Sequence, residues 1–205
     1  MENSENQEFQ PEVKETAAKK KGNAFLSNLH DIVFLVAGVL IVFSLLFRVV
    51  IVSGPSMNDT LVDGDWILLL SNVFYSEPKQ GDVIVACKES FDNGKPIIKR
   101  VIATEGQTVD IDFENGFVFV DDVFLYEPYA LTPTNLYEGI EFPLTVDKGC
   151  VFVLGDNRNI SKDSRNPEIG LIDCDEILGK AIFLVFPGDN ENRVKRDLTR
   201  IGVVS

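Results

Sequence analysis

Apolar residues in this 205-residue chain form one long run and many short ones. Ile32 to Val52 is nearly continuous apolar sequence, close to the roughly 20 residues that a helix needs to cross a bilayer. It predicts a transmembrane helix within an anchor segment at 24–52. Arg48 falls near its end, where a long side chain reaches the headgroups. Before the run, Met1 to Asn23 is rich in Glu and Lys and almost devoid of large apolar residues, which predicts a disordered tail. After it the pattern changes to short β-branched and aromatic runs: Trp66–Leu70, Asp82–Ala86, Pro96–Ala103, Thr108–Asp112, Phe117–Val120, Cys150–Leu154 and Ala181–Phe186. Turn formers separate them, among them Gly64-Asp65, Gly81-Asp82, Asn93-Gly94, Asn115-Gly116 and Gly155-Asp156. Residues 53–205 therefore read as one mainly β domain, an antiparallel sheet or barrel-like fold. About 126–146, where Pro128, Pro133 and Pro143 stand among polar residues, reads as a loop excursion.

Charge gives the span a direction. Lys19, Lys20 and Lys21 precede it, whereas Asp59, Asp63 and Asp65 follow. The positive-inside rule places the tail in the cytoplasm and the β domain outside. A cleaved secretory signal is the competing reading, but the run exceeds the 7–15 residues usual for a signal core. The net charge of −13 leaves no basic stripe to neutralise phosphates, so nucleic acid is not expected as a partner. Cys87, Cys150 and Cys174 are widely spaced, and the single histidine, His30, precedes the span. No zinc-site spacing exists, and metal catalysis is not expected. A disulfide between two of the cysteines is compatible with an outward-facing domain, but spacing does not choose the pair.

Candidate chemistry begins where the span ends, at Ser53-Gly54-Pro55-Ser56-Met57. A serine hydroxyl becomes a nucleophile only with a base and with donors for the developing oxyanion. Read alone, this stretch is a polar turn leaving the membrane. Lys99 changes that reading. Strand alternation puts it on one face with Ile97, Val101 and Ala103, and apolar neighbours disfavour the charged amine. A neutral amine can take the proton of Ser56. A surface lysine on a strand edge is the competing reading. A third element, Gly155-Asp156-Asn157-Arg158-Asn159-Ile160-Ser161-Lys162-Asp163-Ser164-Arg165, follows a strand. It offers an Asp163–Arg165 pair to brace the loop and a hydroxyl, from Ser161 or Ser164, to orient a lysine.

Taken together, these blocks resemble the type I signal peptidases, membrane-bound serine/lysine proteases that remove signal peptides from exported proteins. The similarity covers the anchor and essentially the whole outer domain, through Ser53–Leu61, Gly64–Leu68, Lys99–Ala103 and the Gly155–Arg165 loop. It implies Ser56 as acylating nucleophile, Lys99 as general base and Ser161 as the serine that orients the lysine amine. Asp163 and Arg165 match the family's structural ion pair, and Gly155 and Asp156 its turn near the active site. Asn157, Arg158 and Ser164 belong to the same supporting loop. The oxyanion donor would be the backbone N–H of Ser56; Gly54 stands where some members add a hydroxyl. Met57, Leu61, Ile97 and Ile98 are candidate walls of shallow pockets for small substrate residues at −3 and −1. Size resembles the compact Gram-positive form.

The resemblance implies preprotein signal peptides and the lipid bilayer as partners, a location in the cell membrane, and no cofactor. Two positions depart from the pattern: Asp59 replaces a usual proline, and Gln107 a usual aspartate. A membrane-tethered β domain that binds extended peptides without cutting them is the main alternative, although it needs none of Ser56, Lys99 and Ser161. A self-cleaving repressor-type protein is a third reading, opposed by the span and by the lack of a basic DNA-binding segment.

Overall fold

A computed structural model describes residues 12–188 and 197–204, with side chains from residue 28 onward. The chain divides into two compact units, 1–44 and 45–205. Of the tail expected over Met1–Asn23, residues 1–11 lie outside the described residues. From Glu12 the backbone is already helical, in α1 (Glu12–Leu46). Among the described residues, Asn28–Leu46 is the one helix long and apolar enough to cross a membrane, with mean hydropathy 2.5 and none of its side chains buried. A helix apolar on every side is stable only in an apolar surrounding.

The helix stops six residues short of the expected end at Val52. Phe47–Ile51 is instead a strand, β1, paired antiparallel with β2 (Trp66–Ser71) from Phe47↔Leu70 to Ile51↔Trp66. Continuous apolar sequence has no period to separate helix from strand. The segment Phe-Arg-Val-Val-Ile is rich in residues that prefer a pleated sheet, and β2 satisfies one edge of its backbone.

The remaining strands are β3 (Val83–Cys87), β4 (Pro96–Thr104), β5 (Thr108–Asp112), β6 (Phe117–Val120), β7 (Val123–Phe124), β8 (Leu144–Thr145), β9 (Cys150–Leu154), β10 (Ile172–Asp173), β11 (Ile177–Phe186) and β12 (Gly202–Val203). All pairings among them are antiparallel. The main sheet runs β1-β2-β11-β3-β4-β9-β10, with β12 against β11, and a smaller sheet runs β7-β6-β5-β8. The late strand β11 thus lies between β2 and β3. Thr104 and Thr108 end and begin strands of different sheets, and residues 125–143 run largely without strand between β7 and β8.

Three apolar clusters fill the domain. One gathers Val52, Met57, Leu61, Ile67 and Leu69 with Val83, Val85 and Ile98. A second joins Ile84, Ala86 and Val101 to Val151, Val153, Ile169 and Ile172. The third, between the two sheets, contains Ile102, Ala103, Val109, Ile111, Val118 and Phe152. Alternation along β4 therefore holds for Ile97, Lys99 and Val101. A register shift against β9 between Val101 and Ala103 sends Ala103 into the third cluster. β4 pairs with β3 through Pro96–Arg100 but with β9 only from Arg100 onward. Among the described residues, Pro96–Lys99 consequently has one open edge, and so does β1 at the end of its sheet.

Candidate active site

The chain leaving β1 is pinned before it turns. Val52 N–H donates to the Asp65 carbonyl at 2.8 Å, and Gly54 N–H to Asp63 Oδ1 at 2.8 Å. Gly54 has φ +89°, a backbone state that a side chain at this position would strain. A turn follows, closed by Asn58 N–H to the Pro55 carbonyl at 3.1 Å and Leu61 N–H to the Met57 carbonyl at 2.8 Å. Met57 and Leu61 sink into the first apolar cluster, which leaves Ser56 half-buried between them and solvent.

Lys99 reaches that serine from β4. Its Nζ donates to Ser56 Oγ at 2.9 Å and to the Ile98 carbonyl at 3.0 Å. Only 5% of the residue is exposed. Burial lowers its pKa from 10.5 to about 8, opposed by the negative charges of Asp163, Asp156 and Glu138. Desolvation penalises the ammonium more than those acids support it. Near neutral pH a usable share of the amine is thus free to accept a proton.

The Gly155–Arg165 loop packs behind both residues. Asn157 N–H donates to the Ser56 carbonyl at 3.0 Å, and its side-chain amide to the Pro55 carbonyl at 3.1 Å. A Cβ on Gly155 would stand 2.2 Å from Ser161 Oγ and 2.6 Å from the Ser56 carbonyl oxygen, so only glycine fits. Asp163 and Arg165 form a fully buried pair at 2.8 and 2.9 Å, and Asp163 also receives Gly155 N–H at 3.0 Å. Arg165 spends its other donors on the carbonyls of Leu136 and Arg158. Ser164 exchanges two hydrogen bonds with the backbone of Val153, extending the edge of β9 by one pairing. Arg158 makes a two-pronged ion pair with Glu127, both contacts at 2.7 Å, and donates to Thr134 at 2.8 Å.

Asp156 does more than form a turn. Fully buried, it takes Arg100 Nε and Nη2 at 2.9 and 2.8 Å and the Thr60 hydroxyl at 2.5 Å. The Arg100 guanidinium lies 3.9 Å from the centroid of the Tyr129 ring. Lys99 and Arg100 point to opposite faces of β4, one to Ser56 and the other to the loop that holds Ser56. Thr60, Arg100, Glu127, Tyr129 and Thr134 escape the reading of the sequence. The one signal for Arg100 is its place beside Lys99 in an apolar strand, where a second cation demands a buried acid.

A cleft of about 490 Å³ opens over Ser56 and Lys99, with Val50, Val52, Met57, Ile97 and Ile98 on its apolar walls. Leu61, expected as a wall, is instead wholly buried in the core, because the turn places it behind Met57. Ser161 is buried, but its hydroxyl donates to the Lys162 carbonyl at 3.4 Å and forms no hydrogen bond with Lys99 here. Gln107 accepts from Thr104 N–H at 2.9 Å and closes the turn between β4 and β5, outside the cleft. Asp59 is exposed and follows a cis peptide bond. The three cysteines are free thiols. Cys150 and Cys174 are partly buried, which raises both thiol pKa values.

Signal peptidase I T of Bacillus subtilis (strain 168) is 34% identical over 88% of this chain and 95% of its own. Signal peptidase I of Bacillus amyloliquefaciens is 32% identical over 92% of this chain and 99% of its own. A crystal structure of a signal peptidase I from Enterococcus faecalis V583 shares 29% identity, covering 51% of this chain and 96% of that one at a TM-score of 0.42. The family model described as signal peptidase, peptidase S26, matches residues 26–186, from the apolar helix to the end of β11. The chain belongs to the signal peptidase family, peptidase S26.

Proposed function

We propose that this chain is a membrane-bound serine endopeptidase that removes N-terminal signal peptides from exported preproteins. The observation that carries the proposal is the 2.9 Å hydrogen bond between the buried Lys99 amine and the Ser56 hydroxyl, at the floor of an apolar cleft. Neutral Lys99 takes the hydroxyl proton as Ser56 Oγ attacks the scissile carbonyl. The Ser56 N–H, which donates to no acceptor among the described residues, is free to hold the oxyanion. The lysine ammonium then protonates the leaving amine, and the signal peptide remains as an ester on Ser56. A water molecule, deprotonated by Lys99, releases it.

The substrate enters as an extended strand. The unpaired edges of β1 and of Pro96–Lys99 border the cleft and offer backbone partners. Shallow walls at Met57, Ile97 and Ile98 admit small side chains at −3 and −1. Helix Asn28–Leu46 serves as anchor, with the preceding lysines on the cytoplasmic side and the β domain outside the cell membrane. The anchor also concentrates the enzyme where its substrates lie. Ser161 takes the lysine-orienting role when its hydroxyl turns from the Lys162 carbonyl to the amine. A Ser161→Ala variant that retained full activity would remove that role.

The test is cleavage of a preprotein by detergent-solubilised enzyme, with the cut mapped, beside Ser56→Ala and Lys99→Ala. Cutting after a small −3/−1 pair, lost by at least about 1,000-fold in both variants, supports the reading. Binding of signal peptides without any cutting by folded wild type would favour the peptide-binding β domain instead.

A further inference from the structure

Lys162 follows Ser161 on the loop that closes over Gly155, and its side chain reaches the same cleft as Ser56 and Lys99. The residue is exposed, and its Nζ lies 6.0 Å from the centroid of the Phe91 ring on the cleft wall. An ammonium against a ring face is held near the wall rather than free in solvent. The cleft's other exposed lysine, Lys95, is already matched by Asp92 at 2.9 Å. Glu138, which contributes to the electrostatics around Lys162, has its carboxylate directed to Arg165 at 3.5 Å. Among the described residues, no carboxylate lies within ion-pair distance of Lys162 Nζ. The cleft therefore carries an exposed positive charge in a molecule whose net charge is −13.

We infer that Lys162 is a specificity-determining residue that favours substrates with an aspartate or glutamate within a few residues of the scissile bond. The inference rests on the peptidase reading and deepens it by naming a substrate class. An extended segment paired along the cleft presents alternate side chains to the same wall, so one or two substrate positions face Lys162. The field of the whole molecule works against acidic peptides. A preference for them consequently reports a local cation rather than a general attraction.

The experiment uses the full-length enzyme in detergent and one neutral peptide with small residues at −3 and −1. Glu, Gln or Lys is placed singly at each position flanking the cut. Wild type is expected to show kcat/KM about three- to five-fold higher for Glu than for Gln at one or two positions, the scale of an exposed ion pair. That ratio falls to about one in Lys162→Gln, inverts in Lys162→Glu, and shrinks as salt screens the pair. Equal ratios in wild type and Lys162→Gln, or no position with a Glu preference, would overturn the inference while leaving the peptidase reading intact. Failure of wild type to cut the neutral parent would overturn that reading and this inference with it.

Discussion

Placing an ammonium among apolar residues costs folding free energy, and Lys99 carries that cost beside Ser56. Its pKa falls from 10.5 to about 8, worth about 3 kcal/mol at 1.36 kcal/mol per unit. Because the folded value is depressed, the unfolded chain binds more protons between pH 8 and 10.5, and stability rises with pH across that window. Below pH 8 the penalty is complete. Lys99→Met is therefore expected to stabilise the domain at pH 7 by up to about 3 kcal/mol, with the gain fading toward pH 10. Urea unfolding at the two pH values checks this. With Lys99 as the proposed base, kcat/KM should climb about tenfold per unit below pH 8 and level off above it. A profile flat from pH 6 to 9 would rule out Lys99 as the titrating base.

Between residue and fold stands the Gly155–Arg165 loop, an element without regular structure that holds Ser56 by its backbone. Gly155→Ala puts a methyl group 2.2 Å from Ser161 Oγ and 2.6 Å from the Ser56 carbonyl. It should reduce kcat/KM more than 100-fold while costing only a few kcal/mol of stability. Adding Ser161→Gly relieves the first clash but not the second, so recovery should be partial. Asp156→Asn should destabilise by about 3–5 kcal/mol, because it removes the carboxylate charge that the buried Arg100 guanidinium faces; chemical unfolding measures it. Much of this loop was legible as sequence, since turn formers, acids and bases crowd together after an apolar strand. Its partners were not. Nothing local ties Asp156 to Arg100 and Thr60, which lie 56 and 96 positions away. The strand β1 was hidden for a different reason: an apolar run carries no period, and only pairing with β2 decides its conformation.

At the scale of the whole molecule, the buried members of the three apolar clusters, among the described residues, all lie within the unit 45–205, from Val52 onward. A chain starting at Leu45 should therefore fold, with a melting temperature within a few degrees of the full chain, and should cut soluble peptides. Its turnover of preproteins embedded in vesicles should fall at least about 100-fold, since the shared surface no longer concentrates enzyme and substrate. The broad architecture was readable because the strands are short, alternating and punctuated by glycine turns. Strand order was not, because it depends on which distant edges meet.

That order has a consequence in time. Ser56 follows from the β1–β2 pair and Lys99 belongs to the β3–β4 pair, and among the described residues β11 is the strand that joins the two pairs within the main sheet. Within the sheet, the edges that carry Ser56 and Lys99 are therefore bridged by the last long strand of the chain, residues 177–186, which lends no residue to the cleft. A chain ending before Ile177 keeps Ser56, Lys99 and the Gly155–Arg165 loop but lacks the strand that joins their parts of the sheet. If the proposed mechanism holds, peptidase activity is expected to arrive late in the synthesis of the polypeptide, with a strand that contributes no chemistry of its own.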